Sequence, residues 1–272
     1  MGFNVIPLEQ ALTASALADF RSIIGSLPYV DEALDNRAWI CGGFARHLML
    51  NRPTKEYFKP APRPEGYIPS GDIDVFFNSS EDALATIPKS ACRSQAGFAK
   101  EMHDTIKVQF VDDPDLISPT IEETLSNFDI VNCRVAMNHR HVIISDDWQD
   151  IECKRLLRIG RNDTPFLGSR IMKYLKYRGL EGLTDDSYET LTGWLAHAAN
   201  DFKERDWKPQ HLIGVQHSVK NLRSRRMVSK EDLIFFIGKW KEAIHERHYG
   251  RTFSYEVDWA LNELGGSVKE AV

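Results

Sequence analysis

The spacing of apolar positions changes between the front and the rear of the chain. Residues 8–24 repeat apolar side chains at helical intervals, which predicts an amphipathic helix near the start of the protein. The apolar run 37–41 predicts a short buried strand, which Gly42 and Gly43 end before a helical pattern resumes. The first predicted supersecondary unit is therefore a strand, a glycine turn and a helix.

Prolines and a helix cap punctuate the next part of the sequence. Five prolines within residues 52–69 predict a loop, because proline interrupts both helices and central strands. A strand is predicted at 72–77. A helix is predicted to begin directly after this strand at Ser79, whose side chain can cap the helix together with Asp82.

Further apolar runs predict paired strands on either side of a short helix. Residues 97–103 and 105–111 are predicted to form a hairpin, and Ser118 is predicted to cap the helix that follows. Residues 127–137 form the longest predicted strand. The run 141–145 is expected to pair with it across a turn.

From residue 166 onward the pattern is helical. Five helices are predicted, at residues 166–178, 186–203, 209–222, 230–247 and 255–264. Strands mixed with helices in front of a helical rear half indicate an α+β protein, in which helices flank a mixed sheet. We therefore predict two domains, residues 1–165 and a helical domain of residues 166–272.

Composition narrows the class of protein. The 272 residues are 42% hydrophobic and 27% charged, which is ordinary for a globular chain and argues against disorder. The start of the sequence lacks a signal-peptide pattern and no apolar run is long enough to span a membrane, so we expect a cytoplasmic protein. The four cysteines are scattered without a C-x-x-C pair, which favours reduced core thiols over a zinc site.

The net charge of −5 conceals an asymmetry between the two halves of the chain. Residues 1–150 carry 13 Lys and Arg against 22 Asp and Glu, whereas residues 151–272 carry 21 against 17. An acidic front half suits a metal site, and a basic rear half suits a phosphate-rich substrate. The basic stretch 220–227 is either a surface that follows an RNA backbone or a solvated helical face.

Asp72 and Asp74 interrupt an apolar strand one residue apart. Side chains at i and i+2 share one face of a strand, so both carboxylates reach the same space while Ile73 and Val75 pack behind them. The two charges repel each other, and Mg²⁺, which prefers oxygen ligands, would relieve the repulsion. Asp129 interrupts a second apolar strand, so three acids on two strands indicate a two-metal site for phosphoryl chemistry. A solvated turn or cap is the alternative for the isolated pair.

These motifs carry a resemblance to a known superfamily. In three segments the chain resembles the DNA polymerase beta-like nucleotidyltransferases: CGGFARHLML at 41–50, SGDIDVFF at 70–77 and FDIVNCRVAM at 128–137. It is most similar to the Gly-Gly branch, which includes CCA-adding enzymes and bacterial poly(A) polymerases. The resemblance implies the nucleotidyltransferase fold and an enzyme that transfers a nucleoside monophosphate from an NTP, such as ATP, to a hydroxyl.

The resemblance also assigns roles to the acids and glycines. It implies that Asp72 and Asp74 bridge two Mg²⁺ ions, for which Mn²⁺ can substitute. By the same likeness Asp129 completes the catalytic metal site and helps to deprotonate the attacking hydroxyl. Gly42 and Gly43 would hold the triphosphate of the incoming NTP.

Two basic residues are candidates for nucleotide binding. The Gly-Gly branch usually has an Arg-Asp pair after its glycines, where this chain has Arg46 followed by a histidine. Lys173 lies on a basic helix similar to the one that follows the catalytic core in many relatives, and it is expected to contact the triphosphate. Arg170 and Lys176 are its alternatives, and each of these residues could instead belong to a solvated face.

The acceptor of the nucleotide is less constrained. An RNA 3′ end, especially that of tRNA, fits the basic rear half and ranks first, ahead of a protein hydroxyl and a small molecule. A module that binds a nucleotide or RNA without catalysis is the alternative from a different class. It is disfavoured because three carboxylates would destabilise a site in which they serve no chemistry.

Overall fold

The computed structural model describes residues 2–191, apart from 36, 59–60, 64–65, 69–70, 94–97, 104–105, 114–115 and 162–166. The helices predicted at 209–222, 230–247 and 255–264 and the basic stretch 220–227 lie outside these residues. Of the helix predicted at 186–203, the structure describes a helical stretch at 185–191.

Within the described residues, twelve strands, nine helices and one 3₁₀ turn are labelled in chain order, and the helical stretch at 185–191 is left without a label. The strands are β1 (Phe3–Pro7), β2 (Ala38–Cys41), β3 (Ala61–Arg63), β4 (Gly66–Ile68), β5 (Asp72–Phe77), β6 (Cys92–Arg93), β7 (Ala99–His103), β8 (Ile106–Val111), β9 (Val135–Met137), β10 (His141–Ser145), β11 (Leu156–Leu157) and β12 (Gly182–Leu183). The helices are α1 (Leu8–Ala11), α2 (Ala14–Gly25), α3 (Pro28–Leu34), α4 (Gly43–Met49), α5 (Thr54–Phe58), α6 (Ser80–Thr86), α7 (Ile121–Ser126), α8 (Trp148–Cys153) and α9 (Leu167–Tyr177), and the 3₁₀ turn is Val131–Cys133.

Eight of the strands form one mixed sheet in the order β1-β10-β9-β2-β5-β8-β7-β6. The pair β5 and β8 is parallel, and the other neighbours in this sheet are antiparallel. The predicted α+β class with a mixed sheet is confirmed. The strand-glycine-helix unit is confirmed as well, since β2 runs through Gly42 into α4.

The two faces of strand β5 differ in what covers them. Ile73, Val75 and Phe77 are buried in the main core together with α2 and α4, which contribute Phe20 and Phe44. This burial drives folding, because each buried aliphatic or aromatic side chain stabilises by about 1.5–3 kcal/mol.

The opposite face carries a smaller apolar cluster. Cys41, Leu125, Ala136 and Ile143 are buried in it, and Phe76 packs against them from β5. Asp72 and Asp74 share the face of Phe76, because side chains two residues apart on a strand point the same way.

The start of the chain differs from its prediction. The helix predicted at 8–24 is divided into α1 and α2, because Thr13 accepts a hydrogen bond from the Ala16 amide and so caps a new helix. Strand β1, which the prediction missed, pairs with β10. The loop prediction for 52–69 was also wrong, since the segment contains helix α5 and the two-stranded sheet of β3 and β4.

Two predictions near Asp129 were wrong. The cap of α7 is Thr120 instead of Ser118, whose own amide donates to the Thr124 hydroxyl. The long strand predicted at 127–137 is broken by the 3₁₀ turn and leaves only β9 in the main sheet. The other predictions in this part are confirmed: β7 and β8 form a hairpin, β9 pairs with β10, and Ser79 caps α6.

The described residues group into two compact units, which we treat separately. The first contains residues up to 61, 69–128 and 132–148, and the second contains 62–68, 129–131 and those from 149 onward. The predicted boundary between domains 1–165 and 166–272 stays a prediction. All four cysteines are free, but only Cys41 and Cys133 are buried, so the prediction of core thiols was wrong for Cys92 and Cys153.

Candidate active site

Strand β5 presents the two predicted acids on one face. The exposure along β5 alternates, with Asp72 and Asp74 partly exposed and Ile73 and Val75 buried behind them. The strand is central in the sheet, with β2 on one side and β8 on the other. The core side of β5 therefore fixes the direction in which both carboxylates point, as the sequence predicts.

The glycine turn lies beside the second acid of the pair. Gly42 has φ 77° and ψ −134°, a backbone conformation that essentially only glycine adopts without strain. A β-carbon at this position would be 3.7 Å from Oδ2 of Asp74 and 3.5 Å from the ring of Phe128. The glycine turn therefore lies in direct contact range of the Asp74 carboxylate.

The amide of Gly42 has a structural partner. Its N–H donates to the carbonyl oxygen of Val135 over 3.0 Å, which joins the end of β2 to β9. Gly43 is the first residue of α4. In this arrangement Gly42 contributes backbone shape at the site, and its N–H is committed to the sheet.

Neighbouring strands place a lysine and a thiol beside the acids. Lys107 is the register partner of Asp72 on β8, and its Nζ lies 3.7 Å from Oδ2 of Asp72. The two side chains are 37% and 27% exposed, so solvent screens this pair and it stabilises the fold little. Cys41 is the register partner of Asp74 on β2, and burial, followed by the Asp74 charge, raises the pKa of its thiol well above the usual value.

Asp129 lies in a different setting, within the second unit. Its side chain is 7% exposed, and Oδ1 accepts a 2.7 Å hydrogen bond from the guanidinium of Arg170, which is 51% exposed on α9. Among the described residues, Oδ2 of Asp129 is buried without a hydrogen-bond partner. The main-chain carbonyl of Asp129 accepts from the amide of Gly160.

The predicted nucleotide-binding cations fall in different positions. Arg46 is 2% exposed on α4, which rules out the expected alternative of a solvated side chain. Lys173 is partly buried on α9, whereas Tyr174 beside it belongs to the core. Arg170, the alternative to Lys173, is the ion-pair partner of Asp129.

The donor set of the D-x-D pair fits a hard divalent cation. Mg²⁺ is usually held in proteins by one or two carboxylates plus substrate phosphates and water. Asp72 and Asp74 supply two such carboxylates on one partly exposed face. Within the described residues, no three His, Cys, Asp or Glu side chains are grouped closely enough to hold a metal ion. The site that combines all three acids therefore stays a prediction.

The sequence and the fold were compared with those of known proteins. No protein-family model matches the sequence, and no curated protein matches it. A solved structure of a CCA-adding enzyme with ATP is similar over 93% of this chain and 72% of that chain, with a TM-score of 0.50 and 12% identity. The chain has the nucleotidyltransferase fold.

Two further solved structures are similar at lower scores. The Thermotoga maritima CCA-adding enzyme complexed with tRNA matches 93% of this chain and 71% of its own, at 12% identity and a TM-score of 0.47. A tRNA nucleotidyltransferase with a primer tRNA and an ATP analogue matches 86% of this chain and 62% of its own, at 12% identity and a TM-score of 0.45.

The sequence signals for several neighbours of the acids were absent. Lys107 and Cys41 lie beside the D-x-D acids because of the strand register. No local sequence pattern specifies this register. The partnership of Arg170 with Asp129 joins residues 41 positions apart. In the part of the chain that the structure describes, no helix is long and apolar enough to cross a membrane.

Proposed function

We propose that this protein is a metal-dependent nucleotidyltransferase, which transfers a nucleoside monophosphate from an NTP to a hydroxyl acceptor and releases pyrophosphate. The observation that carries the proposal is the position of the Asp74 carboxylate next to Gly42, with Asp72 on the same face of β5. This arrangement places two carboxylates beside a glycine turn. A metal-bound triphosphate needs both features.

In the proposed site Asp72 and Asp74 hold the metal, which is Mg²⁺ or Mn²⁺. When bound, two such ions would neutralise phosphate charge and favour the ionised form of the acceptor hydroxyl. The resting position of Lys107 supports this role, because a cation already faces Asp72. Lys107 would be displaced from Asp72 or shared with the phosphates.

The proposed transfer is an in-line displacement. The acceptor oxygen forms a bond to the α-phosphorus while the bond from that phosphorus to the bridging oxygen of the β-phosphate breaks. The hydroxyl proton leaves to a carboxylate or to water, and pyrophosphate carries away the electron pair of the broken bond. Positioning and charge neutralisation account for most of the catalysis in reactions of this type.

Asp129 is proposed as the third carboxylate, which completes the metal site and helps to accept the hydroxyl proton. Its buried oxygen without a hydrogen-bond partner supports this role, since such an oxygen is costly unless a cation or donor joins it. Gly42 and Gly43 are proposed to hold the triphosphate, together with Arg46 and Lys173. Arg46 is buried, so this role requires that the side chains covering it let the triphosphate reach its guanidinium.

An RNA 3′ end, with tRNA first, is the proposed acceptor. The basic rear half of the chain supports an acceptor with a phosphate backbone, because Lys and Arg outnumber Asp and Glu by 21 to 17 there. The fold shared with a CCA-adding enzyme supports the same class of reaction. A protein hydroxyl or a small molecule would use the same chemistry at the metal.

Incubation of the purified protein with each α-labelled NTP, Mg²⁺, total RNA and total protein tests the proposal. We expect label in RNA, and the Asp74→Asn variant prepared in parallel should give none. Label in protein or in a small molecule would keep the reaction and replace the acceptor. Nucleotide binding without any transfer, with each NTP and with Mn²⁺ as well, would favour the non-catalytic module and overturn the proposed enzyme.

A further inference from the structure

Helix α5 lies in the proline-rich segment 52–69 and is held by contacts within the first compact unit. Thr54 donates a 2.8 Å hydrogen bond to Asp19, and the imidazole Nε2 of His47 lies 3.1 Å from the carbonyl oxygen of Pro53. The ring of Tyr57 packs against His47 and Phe44, with centroids 5.0 and 5.4 Å away. These contacts seat Tyr57 firmly, and it is only 2% exposed.

Tyr57 in turn holds the chain where it enters β5. The amide of Gly71 donates to the carbonyl oxygen of Tyr57 over 2.7 Å, and the Tyr57 hydroxyl donates to the carbonyl oxygen of Asp72 over 3.2 Å. A β-carbon at position 71 would overlap the Tyr57 ring, so only glycine fits there. Tyr57 thus contacts two successive residues. Its carbonyl oxygen and ring contact Gly71, and its hydroxyl contacts Asp72.

The contacts of Tyr57 act at the first residues of β5, which lie beyond the end of the ladder with β2. The ladder between β2 and β5 ends with Cys41 opposite Asp74, because the chain leaves β2 at Gly42. Among the residues that the structure describes, Asp72 is therefore paired in the sheet with β8 alone, through Lys107. Tyr57 adds a hydrogen bond at this position, and main-chain bonds of this kind fix the direction of the side chain they carry.

We propose that Tyr57 is a positioning residue for the D-x-D pair, which holds the backbone at Gly71 and Asp72 so that the Asp72 carboxylate keeps the orientation needed to bind a divalent cation. The inference rests on the proposed function, because it takes Asp72 as a metal ligand. Tyr57 itself touches neither metal nor substrate in this role. Its loss weakens metal binding without removing a ligand.

The test is a titration of the 272-residue chain with Mn²⁺, in which electron paramagnetic resonance measures the concentration of the free ion. Tyr57→Phe keeps the ring and removes the hydroxyl. We expect it to raise the dissociation constant for Mn²⁺ about three- to ten-fold, the range for one lost hydrogen bond. The Mg²⁺ concentration for half-maximal transfer should rise by a similar factor, while the rate at saturating metal changes less.

Two control variants separate positioning from general stability. Tyr29→Phe removes a hydroxyl from a side chain that is 44% exposed on α3, and it should leave both the Mn²⁺ affinity and the melting temperature unchanged. Phe58→Leu loosens the aromatic cluster around Tyr57 without touching Gly71 or Asp72. It should lower the melting temperature and leave the Mn²⁺ affinity of the folded protein within about two-fold of wild type.

The outcomes distinguish this inference from the proposed function. Wild-type Mn²⁺ affinity in folded Tyr57→Phe overturns the positioning role, whether or not the protein transfers nucleotides. An Asp72-dependent Mn²⁺ site that Tyr57→Phe weakens supports the role even if no transfer is found. If Tyr57→Phe does not fold, Gly71→Ala decides, since a methyl group pushed against the ring should weaken Mn²⁺ binding at least as much, and unchanged binding would refute the role.

Discussion

Two parts of the molecule carry aspartates that interrupt apolar runs, and they hold these residues in opposite ways. Strand β5 keeps Asp72 and Asp74 on a partly exposed face, where Lys107 lies 3.7 Å from one of them. The segment of Asp129 is a break between strands, and its carboxylate is buried in a 2.7 Å contact with Arg170.

The difference between these settings concerns what neutralises each charge. At β5 the lysine pairs with Asp72 across 3.7 Å in a partly exposed, screened contact, so its replacement there by a metal ion would cost little. At Asp129 the protein supplies a close guanidinium, which a metal would have to displace or share. Identical side chains in one sequence can therefore be partly exposed beside a screened lysine in one place and buried against a guanidinium in another.

The strongest way to break this comparison is to neutralise the acids one at a time. Asp74→Asn should reduce nucleotide transfer at least about a thousand-fold, roughly 4 kcal/mol on the barrier, because it removes a metal ligand with little change in shape. Label transfer from an α-labelled NTP measures the loss, and circular dichroism checks the fold. Asp150→Asn, on a solvent-exposed side chain, is the matched control and should keep full activity. Full Mg²⁺-dependent transfer by Asp74→Asn would refute the assignment.

Removing the partner of Asp129 tests the other half of the comparison. Arg170→Gln should destabilise the protein by about 1–3 kcal/mol, because a buried carboxylate loses its cation while the lost arginine was half exposed. Urea unfolding measures this loss of stability, and the same measurement in excess Mg²⁺ shows how much the metal ion stabilises each protein.

The double variant and the metal sharpen this result. Adding Asp129→Asn to Arg170→Gln should restore most of the lost stability, since the uncompensated charge is then gone. If Asp129 binds metal, Mg²⁺ should stabilise Arg170→Gln more than it stabilises wild type. Equal stabilisation of the two proteins would mean that Arg170 is the structural partner of Asp129 and that the metal lies elsewhere.

The thiol of Cys41 makes the stability of the protein depend on pH, because burial and the neighbouring Asp74 charge raise its pKa. Its raised pKa means that the folded protein keeps the thiol proton above about pH 8.5, where the unfolded chain loses it. The thiol therefore contributes stability that is complete below about pH 8.5 and declines as the pH rises further, by up to about 1.4 kcal/mol per pH unit. The free energy of unfolding should fall less steeply above this pH in Cys41→Ala than in wild type, and parallel curves would contradict the prediction.

The smallest expected effect concerns Lys107. Lys107→Met should strengthen Mn²⁺ binding about two-fold at low ionic strength, because it removes a positive charge near the incoming ion. The same titration in about 0.5 M salt should show a smaller difference. A several-fold loss of Mn²⁺ affinity would instead indicate that Lys107 orients Asp72 for binding.

The regular parts of this site could be predicted, and the irregular parts could not. Alternation along 72–77 and the glycines at 42 and 43 are local signals, so the exposed acid pair and the strand-turn-helix unit followed from them. The segment 127–137 resembled one strand because apolar residues, among them the β-branched Ile130, Val131 and Val135, recur along it. In the structure, buried Arg134 donates to the carbonyl oxygens of Ser126 and Phe128, which holds the chain in a break.

The sequence by itself determined which residues share a face and which position requires glycine, since both depend on the conformation of a few adjacent residues. Only the tertiary structure decided that Lys107 lies opposite Asp72 and that Cys41 lies opposite Asp74. The same is true of the hydrogen bond from the Tyr57 hydroxyl to the start of β5. These contacts depend on strand register and on the seating of a distant helix. Both are set by the packing of the whole core, because many local patterns are compatible with more than one register.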